Sequence, residues 1–157
     1  MPKPATSPIP PGFHSLTIHL MVKGAAGYID FLKKAFGAIE IRRSPAPNGK
    51  LMHAEVQIGD SRLMFSDDFC EEMHQQPLAT GHLPFVVNLY VPDADASWKQ
   101  ALEAGCEVEF PIADQFWGDR YGQVKDPYGI TWAISTHIAD PTPEEMAAAM
   151  KAMGGGQ

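Results

Sequence analysis

The feature that most constrains the fold of this 157-residue chain is that one arrangement, a strand, a helix and three further strands, is written twice. In the first copy, residues 15–22 alternate, with Leu16, Ile18, Leu20 and Val22 on one side and Thr17, His19 and Met21 on the other, the period of two expected of a strand. Residues 24–36 then bring Ala26, Ile29, Phe31, Leu32, Ala35 and Phe36 to helical spacing, and Gly37 stands where a left-handed cap ends a helix. Strands at 38–43, 51–58 and 61–65 follow, separated by the turn sequences Pro47-Asn48-Gly49 and Gly59-Asp60. In the second copy, residues 85–91 set Val87, Leu89 and Val91 against Val86, Asn88 and Tyr90, and Asp93 or Asp95 caps a helix through Ala104 that Gly105 ends. Strands at 106–110, 121–125 and 130–136 complete it, the last two joined by Asp126-Pro127-Tyr128-Gly129, with proline at the second position of the turn. A shift of about 69 residues superposes the two copies, with one residue inserted in the first helix or its cap.

Two such units cannot stack into a solenoid. They can form paired curved mixed sheets around a cleft, an α+β plan of two tandem βαβββ modules in which each sheet's apolar face is covered by its own helix. The other faces, carrying Thr17, His19, His53, Glu55, Gln57, Val86, Asn88, Tyr90, Thr131, Ala133 and Ser135, then line the cleft. The expected organisation is a proline-rich arm at 1–13, a domain at 14–140 (module one 14–67, linker 68–84, module two 85–140), and a C-terminal helix with a Gly-rich tail at 141–157. Thr142-Pro143-Glu144-Glu145 is a capping box with proline at the first helical position, and Met146, Met150 and Met153 share one face of the helix it opens. The linker, with Cys70, Glu71, Glu72, His74 and His82, is read as a loop able to cover the cleft.

A net charge of −7 and the absence of any basic run longer than Lys33-Lys34 or Arg42-Arg43 argue against nucleic acid as a partner. No window approaches the roughly 20 apolar residues that span a bilayer, and the first residues lack a signal-peptide core, so a cytoplasmic protein without membrane association is expected. Cys70 and Cys106 are too far apart for a zinc or redox pair.

The duplicated βαβββ plan carries Ile29-Asp30-Phe31-Leu32-Lys33-Lys34-Ala35-Phe36-Gly37, then His53-Ala54-Glu55 before Ile58-Gly59-Asp60-Ser61. Later come Phe116-Trp117-Gly118-Asp119-Arg120-Tyr121-Gly122 and Asp126-Pro127-Tyr128-Gly129-Ile130-Thr131-Trp132. In these it resembles the vicinal oxygen chelate superfamily of glyoxalases, extradiol dioxygenases and fosfomycin- and bleomycin-resistance proteins, within it the PhnB-like branch. The resemblance covers residues 14–140. It implies the glyoxalase/bleomycin-resistance-like fold and functions ranging from isomerisation and ring cleavage to ligand sequestration. Metal-dependent members draw one ligand from each of four strand positions, and the resemblance lays these on Thr17, Phe65 or a neighbour, Val86 and Ala133. One hydroxyl and three apolar side chains are a poor donor set for a transition metal.

The expectation is therefore a homodimer that binds a small aromatic or anionic molecule without a cofactor. The alternatives are a lyase, isomerase or dioxygenase using a divalent metal such as Zn, Ni, Mn or Fe, and a non-catalytic interaction protein. His53 and Glu55, two apart on a strand, are the candidate acid/base pair, with His19 and Gln57 beside them as candidate ligand contacts. In the second module the candidates are Asn88, Tyr90, Trp117, Arg120 and Tyr121, where an aromatic plate beside a guanidinium would clamp a flat or anionic ligand. Trp132 and Ile134 are expected in the core and Asp126 as a turn former.

Overall fold

The computed structural model describes residues 7–69, 83 and 85–154. The chain divides into two compact units, Met1–Ala79 and Thr80–Gln157. The linker residues Cys70, Glu71, Glu72, His74 and His82, expected to form a loop over the cleft, lie outside the described residues.

The first unit runs β1 (Ile18–Val22), α1 (Ala25–Phe36), β2 (Ile39–Pro45), β3 (Leu51–Ile58) and β4 (Ser61–Asp67). Its sheet has the order β1-β4-β3-β2, with β1 parallel to β4 and the other pairs antiparallel. β1 begins at Ile18 and not at residue 15, because its first partner is Leu63, near the start of β4; Leu16, left without one, is 93% exposed. Leu20, Val22, Ala54, Val56, Leu63 and Phe65 are buried, as are Tyr28, Ile29 and Leu32 of α1. Tyr28 stands edge-on to Phe65 at 5.1 Å between ring centroids. Burying each such side chain is worth roughly 1.5–3 kcal/mol, which holds the helix on the sheet.

Two faces differ from the sequence pattern. At the start of α1 it is Ala25, not Ala26, that is buried, and Met52 is exposed while Leu51 is buried. A register irregularity between Ser44 and Pro45 of β2, opposite the start of β3, lies at the place where β3's alternation fails.

The second unit repeats the order: β5 (Val87–Tyr90), α2 (Ala94–Glu103), β6 (Glu107–Asp114), β7 (Asp119–Lys125), β8 (Thr131–His137), then α3 (Pro143–Gly154). Its sheet order, β5-β8-β7-β6, is the first unit's topology again, with the first strand parallel to the last. Trp132 and Ile134 are buried as expected. Asp126 accepts from the N–H groups of Tyr128 and Ile130 and from Trp132 Nε1 at 2.9–3.0 Å, so the turn former also orients the core indole. Gly122 lets α2 close on the sheet, since a Cβ there would sit 2.6 Å from the Trp98 ring. The capping box forms as read: Thr142 N–H donates to Glu145 and Glu145 N–H to Thr142 Oγ1. No described helix is long and apolar enough to cross a membrane.

Candidate functional site

In the first unit the period of β3 turns Ala54, Val56 and Ile58 toward α1 and leaves His53, Glu55 and Gln57 on the uncovered face. His53 Nε2 lies 2.9 Å from Glu55 Oε1, the same oxygen that Arg42 reaches with Nε at 2.8 Å and Nη2 at 2.7 Å. Glu55 is buried; desolvation pushes its carboxyl up, but the bonds from His53 and Arg42 outweigh this and hold it below the usual carboxylate range. His19, on β1, stands edge-on to His53 with ring centroids 5.8 Å apart. Desolvation and then the neighbouring His53 depress its pKa, which favours the neutral imidazole. Gln57 is drawn away, its Nε2 donating to Gly59 O at the strand's end. Thus His19, His53 and Glu55 come together, and Arg42 joins them unforeseen. Its sequence signal was weak, because Glu55 pairs with Arg42 across a register shift in β2.

The second unit organises its uncovered face around Asp119. This buried carboxylate accepts from Tyr90 Oη at 2.8 Å and Trp117 Nε1 at 3.2 Å, and lies 2.8 Å from His137 Nδ1. Burial raises its pKa, but the bonds from His137, Tyr90 and Trp117 prevail and lower it. The anchored indole packs edge-on to Tyr121 at 5.3 Å and to Phe116 at 5.2 Å, and Tyr121 in turn meets Phe110 at 6.2 Å. Gln123 Nε2 holds the Tyr121 hydroxyl, and Asn88 accepts from the Ser135 hydroxyl at 3.1 Å. Trp117, Tyr121 and Tyr90 are therefore gathered on one face.

Arg120 is not among them. Along β7, Asp119, Tyr121 and Gln123 share one face while Arg120, Gly122 and Val124 share the other, the one that α2 covers. Its Nε and Nη2 fork onto Asp95 of α2 at 2.7 Å, and Nη1 reaches Asp114 at 3.0 Å. The expected clamp of Trp117 with Arg120 is thus divided between two faces of the sheet. Strand alternation was the signal, applied to β3 but not to β7, which was taken to begin at Tyr121 and begins at Asp119. The same two-residue extension puts Asp119, a weaker candidate beside Trp117 and Arg120 whose alternative was to pair with Arg120 or cap the Gly118 turn, on the uncovered face, and β8 runs one residue further to include His137, which is not among the candidates.

The four positions implied for a metal do not form a ligand set. Phe65 is wholly buried against Tyr28, Ala133 is buried between its neighbours Asn88 and Gln123, and Thr17 and Val86 precede their strands. Among the described residues no group of three His, Cys, Asp or Glu side chains is arranged to hold a metal ion. Where donors do gather, at His19, His53 and Glu55, the Arg42 guanidinium already occupies the carboxylate and opposes a second cation. The residues present do not fit a metal centre of the family type. Cys106 is buried, and its thiol, pushed up to about 12 by burial and by Asp126, is no nucleophile at neutral pH.

With this duplicated topology in view, the family model of the glyoxalase/bleomycin resistance protein/dioxygenase superfamily matches residues 13–134. The chain belongs to that superfamily. An uncharacterized protein of Mycobacterium bovis is 41% identical to it over 145 residues, which span 90% of this chain and 95% of the relative. Among solved structures, TioX from Micromonospora sp. ML1 superposes with a TM-score of 0.64 at 26% identity, over 80% of this chain and 99% of TioX. The PhnB protein from Bacillus cereus shares the fold with a TM-score of 0.62 at 15% identity, over 78% and 99% of the two chains.

Proposed function

We propose that this superfamily member is a metal-independent, PhnB-like binder of a small aromatic molecule, which it takes up on the uncovered face of the second unit. The observation that carries the reading is the buried Asp119, which fixes Trp117 and Tyr90 by their polar ends and leaves their rings as a prepared surface. The rings supply apolar contact and the carboxylate supplies orientation. A titration followed by tryptophan fluorescence tests it, with a screen of aromatic antibiotics, thiol conjugates and small carboxylates as first probes. Trp117→Ala is expected to weaken binding of a probe found in this way by about 2 kcal/mol, roughly 30-fold. Arg120→Ala, on the covered face, is expected to leave affinity unchanged. Full affinity in Trp117→Ala would defeat the reading.

A second reading, catalysis, is favoured by the 2.9 Å approach of His53 to Glu55, the geometry of a carboxylate-oriented general base. It requires that His53→Ala abolish turnover of a bound compound without loss of affinity. The binder is taken to work in the cytoplasm as a homodimer, since the edge strands β2 and β6 expose Ile39, Ile41, Val108 and Phe110, which a second copy would cover. Sedimentation at micromolar concentration as a 17.1 kDa species would refute the dimer.

A further inference from the structure

The chain has four arginines, Arg42, Arg43, Arg62 and Arg120. Three are matched by carboxylates: Arg42 by Glu55, Arg43 by Glu40, and Arg120 by Asp95 and Asp114. Arg62 is different, since its Nε and Nη1 are buried and have no hydrogen-bond partner among the described residues. It lies on β4 opposite Gln57, two residues from Met64, which is itself opposite Glu55; alternation therefore puts Arg62 on the same uncovered face as Glu55 and Gln57.

Gly12 and Phe13 cover it. The Phe13 ring centroid is 5.9 Å from the guanidinium carbon. Gly12, at φ +82°, comes so near that a Cβ there would stand 2.9 Å from Nη2 and 3.0 Å from Nε. This cover excludes water without supplying an acceptor at Nε or Nη1. Phe13 is also a wall of a cavity of about 470 Å³, which it lines with Pro10, Arg42, Glu55 and Met64; Arg62 itself does not line that cavity but meets the same Phe13 ring.

A guanidinium does not lose its charge, and its buried N–H groups destabilise the fold until an acceptor meets them. Nε and Nη2 form the edge that forks an oxyanion, and that is the edge Gly12 faces. Arg42 and Glu55 neutralise each other, so among the described residues Arg62 leaves this face an uncompensated positive charge. The cavity wall from Pro10, Phe13 and Met64 is apolar.

We infer that Arg62 anchors an oxyanion, the carboxylate or phosphate of a small organic acid seated in this cavity, and that Gly12 and Phe13 form a cover that gives way to it. The site belongs to the first unit alone, so its failure would leave the ring face of the second unit untouched, and the reverse.

The test uses the full chain with benzoate, phenyl phosphate and inorganic phosphate, at an ionic strength held constant with chloride. Thermal melting and the 15N resonances of the arginine Nε–H groups are the readouts. An organic acid is expected to raise the melting temperature saturably and to move the Arg62 Nε–H signal while those of Arg42, Arg43 and Arg120 stay in place. A stronger response to benzoate identifies a carboxylate and a stronger response to phenyl phosphate a phosphate; an equal response to inorganic phosphate would refute the apolar part of the site. Arg62→Met, which keeps the stem and removes the donors, is expected to melt no lower than the parent and to lose the response. Gly12→Ala, which loosens the cover, is expected to bind several-fold more tightly. An Arg62 Nε–H signal unmoved by every probe in the unaltered protein, or a response that survives in Arg62→Met, overturns the inference.

Discussion

Both units launch a helix from a strand that pairs in parallel with the last strand of its own sheet, yet they cap that helix by opposite means. In the second unit the cap is local: Asp93 accepts from Ala96 N–H at 3.0 Å, three residues on. In the first, Gly24 occupies the cap position with φ 86° and no side chain, and the donors are met from the end of the adjacent strand β4, distant only in sequence. Asp67, the last residue of β4, accepts from Gly24 and Ala25 with one oxygen and from Leu51 with the other, at 2.7–3.1 Å. Burial raises the pKa of that carboxyl, but the three backbone donors and Lys50 bring it below its ordinary value. One carboxylate thus joins α1, β3 and β4, whereas Asp93 serves its own turn. The same helix start can be secured by sequence neighbours or by tertiary contact, and the second way makes the cap depend on the whole sheet.

The largest consequence concerns Asp67. Asp67→Ala would leave three donors without their acceptor, two of them in buried backbone, and at about 1–3 kcal/mol for each unmet buried group the loss is expected to be about 2–6 kcal/mol by urea denaturation. Asp93→Ala, which frees one exposed cap donor, is expected to cost about 1 kcal/mol. Equal losses in the two variants would erase the distinction.

The units also differ in what they ask of histidine. His137, between Asp140 and Asp119, has its pKa raised, so it favours folding most below the unfolded value of 6.5, and that contribution disappears as pH rises through the higher folded pKa. His19 has its pKa lowered by burial and by His53; its contribution is present above 6.5 and is lost as pH falls through the lower folded pKa. Melting curves of His137→Gln and His19→Gln against the parent should therefore diverge on opposite sides of pH 6.5, His137→Gln losing most on the acid side and His19→Gln relatively least there. Both groups are exposed enough for solvent to keep the effects small. Smallest of all is the expected response to metal: Zn²⁺, Ni²⁺, Mn²⁺ or Fe²⁺ should give no saturable rise in melting temperature in either unit, and a rise saturating at one ion per chain would contradict the donor geometry.

Features carried by near neighbours were legible beforehand. The Asp93 cap, the Thr142 capping box, the Asp126 turn, the burial of Trp132 and Ile134, and the shared face of His53 and Glu55 each depend on residues within a turn or on strand period. The ring cluster was partly legible, since Trp117 and Tyr121 were recognised as neighbours. Its anchor was not, because Tyr90 and His137 reach Asp119 from other strands, 29 and 18 residues away.

By itself the sequence determined the duplicated βαβββ order and the helix limits, because these follow from periods of 2 and 3.6 and from signals closed within a few residues. Tertiary structure alone decided which charges meet. Arg120 pairs with Asp95 across 25 positions, Asp67 caps a helix 42 positions back, and Arg62 Nε and Nη1 find no partner among the described residues under Gly12 and Phe13. A charge finds its partner through strand order and register, and neither is encoded in the spacing of any single segment.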